Sequence, residues 1–96
     1  MEFMIIAYDA KDNHAQARRL KAREAHLRQA RIMKEQGHFI KGGAILDEEG
    51  RMIGSTLYLR FNSREELDRW ISNDPYVLGN VWVKVDVKPI RLVDFE

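Results

Sequence analysis

Phe3-Met4-Ile5-Ile6-Ala7-Tyr8 is apolar at both parities. Successive side chains of a strand point to opposite faces, so a strand apolar on both faces is covered on both. Working outward, Asp12 to Gln36 contains neither Pro nor Gly and is dominated by Ala, Leu, Arg, Lys, Gln and Glu, the good helix formers. Asp12 or Asn13 can cap that helix at its start, and Gly37 suits the position just past its end. Phe39–Leu46 reads as a second strand bent at Gly42-Gly43, and Asp47-Glu48-Glu49-Gly50 as a turn. Met52–Phe61 is a third strand, with Leu57, Leu59 and Phe61 on one face and Thr56, Tyr58 and Arg60 on the other. Ser63-Arg64-Glu65-Glu66 is a capping box opening a second helix that carries Leu67, Trp70 and Ile71. Asn73-Asp74-Pro75 ends it, because Pro75 pushes Asp74 out of helical geometry. In the last strand, Val81, Val83, Val85 and Val87 are expected on one face and Trp82, Lys84 and Asp86 on the other.

The order β-α-β-β-α-β is that of an α+β, ferredoxin-like fold, with an antiparallel sheet and both helices on one face. Its usual strand order is 4-1-3-2. One domain, residues 1–96, is expected from the length. The helices cover one face of such a sheet and leave the other wet, yet Phe3–Tyr8 has no polar face. The open face is therefore expected to pack on the same face of a second copy as a homodimer, since a sizeable apolar patch is costly in water. Self-association is also the supplement left to so short a chain. It has no cysteine, so neither disulfides nor a thiolate-bound metal can reinforce the core. Assembly beyond the dimer stays open.

Lys+Arg number 16 and Asp+Glu 15, without the basic excess of a nucleic-acid binder. No apolar run approaches the roughly 20 residues that span a bilayer. Met1–Tyr8 lacks the charged start and the length of a signal peptide. A cytoplasmic protein without nucleic-acid or membrane partners is expected.

On a helical wheel at about 100° per residue, Ala15, Leu20, Ala22, Leu27, Ala30 and Met33 share one broad arc, and Lys21, Glu24, Arg28 and Glu35 lie outside it. Arg19, Arg23 and His26 fall inside the apolar arc, stacked along one stripe. Charged groups on a buried face are costly unless paired, so an anionic group must sit opposite: a carboxylate, a ligand, or both. The alternative is that the arginines lay their stems on the core and keep their heads in water. A lone buried histidine is more often a satisfied core residue than a catalytic one. The three together favour a site.

The segment Arg19-Leu20-Lys21-Ala22-Arg23-Glu24-Ala25-His26-Leu27 resembles the R-x-x-x-R-x-x-H-L stretch of the YciI-like (YCII-related) proteins. Lys41-Gly42-Gly43, Gly54-Ser55-Thr56, Asp74-Pro75-Tyr76-Val77 and Val85-Asp86-Val87-Lys88-Pro89 resemble further motifs of that family, in the same order and over nearly the whole chain. Where the family commonly has A-G-P after strand two, this chain has Ala44 in place of Pro, which softens that wall or alters the substrate. The resemblance implies a dimeric α+β barrel and a pocket centred on a His–Asp pair, which carries over to His26 and Asp74. Such a pair makes chemical sense: an imidazole exchanges protons near neutral pH, and a carboxylate on its other nitrogen fixes the tautomer. Arg19 and Arg23 are candidates to bind a substrate oxygen, and Ser55 to donate a further hydrogen bond. The alternative is a buried His–Asp bond that merely joins helix one to the loop after helix two.

No cofactor is indicated: Gly42-Gly43 and Gly54 form neither G-x-G-x-x-G nor a P-loop. No metal is indicated either, since His14, His26 and His38 are too widely spaced for one helical face. His14 and His38 are expected to be solvated. Fold relatives include muconolactone isomerases, and one YciI-like member acts on chlorinated hydroquinones. The function expected is thus cofactor-independent proton transfer, in isomerisation or elimination, on a small anionic or phenolic molecule. A dimeric module that binds a small ligand without turnover is the alternative.

Overall fold

The computed structural model describes residues 1–95. Strand β1 (Glu2–Asp9) leads to helix α1 (Ala15–Glu35), the hairpin β2 (Phe39–Leu46) and β3 (Met52–Arg60), helix α2 (Arg64–Ser72), a one-turn helix α3 (Pro75–Leu78) and β4 (Trp82–Ile90). The antiparallel sheet runs β2-β3-β1-β4, the expected ferredoxin-like order read from its other edge. Phe3, Ile5, Ala7, Leu57, Leu59 and Phe61 form its inner face, and Met33, Leu67, Ile71 and Tyr76 close over them. On the outer face Met4 and Ile6 stay half-buried and Tyr8 is exposed. No helix of the described residues is long and apolar enough to cross a membrane.

Three local expectations change and a fourth is extended. Leu20 is 76% exposed. The buried stripe of α1 is Ala15, Arg19, His26 and Met33, and Leu20 lies about 100° around the helix from Arg19. In β4, Tyr8 pairs with Lys84 but Asp9 with Trp82, so Val83 is the extra residue of a bulge. The parity changes there: Trp82 turns into the core and Val83 is 64% exposed. The residue capping α1 is His14, without a side-chain cap, while Asp12 accepts from the His14 N–H and binds Arg18. Finally, Asp74 does more than end α2. Its extended backbone starts α3, with Pro75 in the first helical position, where a missing N–H is harmless.

Gly37 sits at φ +81° just past the α1 C-cap, as expected. Gly54 is required for a different reason. A Cβ there would collide with the Ala7 carbonyl across the β1–β3 pair. Its own carbonyl is thereby brought within reach of α1.

Candidate functional site

Three elements converge on the inner face of the sheet beside the β2–β3 hairpin. Helix α1 contributes Arg19, Arg23 and His26, β3 contributes Ser55, and the Asp74–Tyr76 turn closes the far side. A cavity of about 170 Å³ lies between α1 and the hairpin. Its polar wall is Arg19, Arg23, His26, Ser55 and Tyr76; Leu27, Phe39 and Leu57 are among its apolar lining.

His26 Nδ1 is 2.8 Å from Asp74 Oδ1. Asp74 is fully buried and its other contacts fix it: Oδ1 also accepts the Tyr76 N–H as the cap of α3, and Oδ2 accepts from Gln29. A carboxylate accepting from Nδ1–H leaves Nε2 of the neutral ring as the acceptor. No described protein group bonds Nε2. The one sealed, unpartnered side-chain polar atom among the described residues is Asp9 Oδ1, so Nε2 reaches solvent, and His26 lines the cavity. The imidazole is clamped flat on Tyr76, with centroids 3.8 Å apart and planes within 9°, and Trp82 stands edge-on to both rings. Asp74 is behind the ring and does not line the cavity.

The two arginines behave differently. Arg19 is buried, and the anionic partner required opposite it is Asp9, whose Oδ2 accepts from Nε at 2.7 Å. Its other N–H groups reach the Gly54 carbonyl at 2.6 Å, Ser55 Oγ at 2.9 Å and the Tyr76 hydroxyl at 3.2 Å. Four of the five guanidinium donors are thus committed to the protein, and the charge lies 4.8 Å over the Tyr76 ring. Arg23 is exposed, as a snorkelling side chain would be, and lines the cavity from the solvent side. Burial holds the Tyr76 phenol above its usual pKa, against the pull of the Arg19 charge, so the hydroxyl is protonated at neutral pH. Among the described residues no three His, Cys, Asp or Glu side chains meet in a way that could hold a metal ion.

The sequence model of the YCII-related domain matches residues 1–91. The chain belongs to this family. It is 30% identical to protein YciI of Escherichia coli over 97% of its own length and 99% of the relative. Among solved structures it resembles the 5-chloro-2-hydroxyhydroquinone dehydrochlorinase TftG of Burkholderia phenoliruptrix, determined in complex with 2,5-dihydroxybenzoquinone, with a TM-score of 0.81 and 24% identity over 95% of this chain and 94% of that one. A dimeric ferredoxin-like protein of unknown function from Jannaschia matches at a TM-score of 0.53 and 11% identity, over 95% and 98% of the two chains. Both likenesses are of fold.

Within this YCII-related chain, three residues of the pocket region were not singled out from sequence as site groups: Asp9, Tyr76 and Trp82. Asp9 follows an apolar strand and reads as its end. Trp82 is hidden by the bulge, which reverses its expected face. For Tyr76 a signal existed, because Asp-Pro followed by Tyr is a helix cap with Pro at the first turn, and a new turn brings the next side chain back over the preceding helix. His14 is exposed as expected. His38 is not solvated: it bonds the Arg60 carbonyl, stacks on Phe61 and keeps only 18% of its side chain exposed.

Proposed function

We propose that the cavity binds a small phenolic or anionic organic molecule and that His26 moves a proton to and from it, oriented by Asp74 and without a cofactor. The carrying observation is the asymmetry of the imidazole: Nδ1 faces a sealed carboxylate and Nε2 has no partner among the described residues. In an elimination, Nε2 takes the substrate proton while a leaving group such as chloride departs with its bonding electrons. In an isomerisation the same nitrogen returns the proton at another atom. Asp74 stabilises the imidazolium formed in between. Arg23 draws an anion towards the cavity from its exposed side, and Ser55, held by Arg19, serves the bound oxygen from within. At about 170 Å³ the space is similar to the roughly 150 Å³ that admits benzene, which supports a single substituted ring. The substrate class named for TftG supports the same choice by analogy of fold.

The test is chloride release and absorbance change with chlorinated hydroxyhydroquinones, followed for the unaltered chain and for His26→Ala. Turnover by the former that falls by about 10²–10⁴ in the latter, with melting temperature retained, is the expected result. Equal turnover in both sinks the proposal.

A binding module without turnover is the second reading. It is favoured by the structural duties of Asp74, which caps α3 and ties it to α1. Saturable ligand binding with no product formed would select it.

The same reading includes a homodimer through the outer sheet face. In register, Ile6 lies between Thr56 and Asp86, and Met4 between Tyr58 and Lys88, so an apolar centre is flanked by polar edges. The Jannaschia protein is described as dimeric. Sedimentation should give a dimer, and Ile6→Lys a monomer; a monomeric unaltered chain refutes this part. A cytoplasmic location, and no nucleic-acid partner, complete the reading, supported by the near balance of charge.

A further inference from the structure

A hydroxyl group offers one donor and two acceptor sites, and in this cavity both acceptor sites of Ser55 and one of Tyr76 are filled from behind. Ser55 Oγ accepts from Arg19 at 2.9 Å and from the Trp82 indole N–H at 3.2 Å. Both its lone pairs are engaged, so its proton must point away from both donors, and no described group accepts it. Tyr76 Oη accepts from Arg19 at 3.2 Å, and its proton likewise meets no described acceptor. Both residues line the cavity. Burial keeps the phenol protonated. Arg19 itself is neutralised by Asp9 and turned towards the protein.

We infer that Ser55 and Tyr76 form a paired donor site for an oxyanion or carbonyl oxygen of the occupant, and that Arg19 is the positioning residue that makes donors of both hydroxyls. The inference rests on the reading that the cavity is a ligand site. It narrows the chemistry of the ligand. A phenolate, enolate or carbonyl oxygen, which has only lone pairs to offer, satisfies both hydroxyls. An amine in the same place sets its donors against theirs. His26 Nε2 is the ring-nitrogen acceptor on this polar wall, so the wall is built to separate a proton from the oxygen that carried it.

The test uses two isosteric probes, 4-nitrophenol and 4-nitroaniline, read by absorbance, which distinguishes phenol from phenolate. The unaltered chain should bind 4-nitrophenolate in preference to 4-nitroaniline and lower the pKa of the bound phenol. Hydrogen bonds to a charged partner are the strong ones, so Tyr76→Phe and Ser55→Ala should each weaken nitrophenolate binding on the order of ten- to a hundredfold. Nitroaniline affinity should be unchanged. Ser55→Ala also takes an acceptor from Arg19 and Trp82; should it fail to fold, Tyr76→Phe, which keeps the ring and its stack, decides alone. No preference in the unaltered chain, or an undiminished preference in Tyr76→Phe, overturns the donor pair. Turnover lost in His26→Ala with the probe preference intact in both hydroxyl variants keeps the proton transfer and removes the pair. Turnover retained in His26→Ala with the preference lost in the hydroxyl variants does the reverse.

Discussion

His26 and His38 share most of their surroundings. Each uses Nδ1 in a hydrogen bond, to Asp74 at 2.8 Å and to the Arg60 carbonyl at 2.9 Å. Each is stacked on an aromatic ring, Tyr76 at 3.8 Å and Phe61 at 4.2 Å, with a tryptophan nearby. Each has a carboxylate within 4 Å. They differ at Nε2. In His38 it faces Glu66 Oε1 at 3.5 Å, so a carboxylate of α2 lies beside the second nitrogen while the first is bonded to the end of β3. In His26 it meets no protein group among the described residues, and the ring lines a cavity. A stacked histidine beside a carboxylate thus occurs twice in this chain. What sets the candidate site apart is the nitrogen left over.

The most direct way to break that contrast is to remove each ring in turn. Loss of turnover in His26→Ala, as set out above, should have no counterpart in His38→Ala, whose kcat should match the unaltered chain. A comparable loss in both would mean that each acts through stability, and the distinction would fail.

The carboxylates sharpen it next. Asp74→Ala leaves the His26 Nδ1–H and the Tyr76 N–H without their buried acceptor and removes the cap of α3. Together these should cost about 3 kcal/mol of stability, seen as a lower urea midpoint. Glu66→Gln touches a partly solvated contact and should cost less than about 1 kcal/mol. Equal losses would show that Asp74 is not the keystone its contacts imply.

The same contrast explains what could be read from the sequence. The architecture was legible because it depends on periodicity and punctuation: FMIIAY, a long stretch without Pro or Gly, a capping box. The charged stripe of Arg19, Arg23 and His26 was legible as a conflict between residue type and face. How the conflict resolves was not. Whether an arginine is buried against Asp9 or runs out to water depends on what the sheet presents, and Arg19 and Arg23, four residues apart, take opposite answers. Tyr76 and Trp82 were missed because a one-turn helix and a one-residue bulge re-aim side chains without disturbing the local pattern. His38 was misread because proximity to a helix end says nothing of the Phe61 ring beneath it.

The rings under the two histidines provide the smallest and most specific test. Phe61 does not titrate. Tyr76 does, and burial raises its folded pKa above the ordinary 10.0 despite the opposing Arg19 charge. Between the unfolded and folded values the native chain holds a proton that the unfolded chain has released. The stabilisation is thus fully present below about pH 10 and is lost as pH rises through the folded pKa. Alkaline changes elsewhere in the chain are common to the unaltered chain and Tyr76→Phe. Melting temperature followed from neutral to alkaline pH should fall less steeply in Tyr76→Phe above about pH 10, and His26 should keep its stack on the phenylalanine ring. Superimposable alkaline limbs would mean that the phenol is not held neutral by the protein, and the hydroxyl would then lose its standing as a donor facing the cavity.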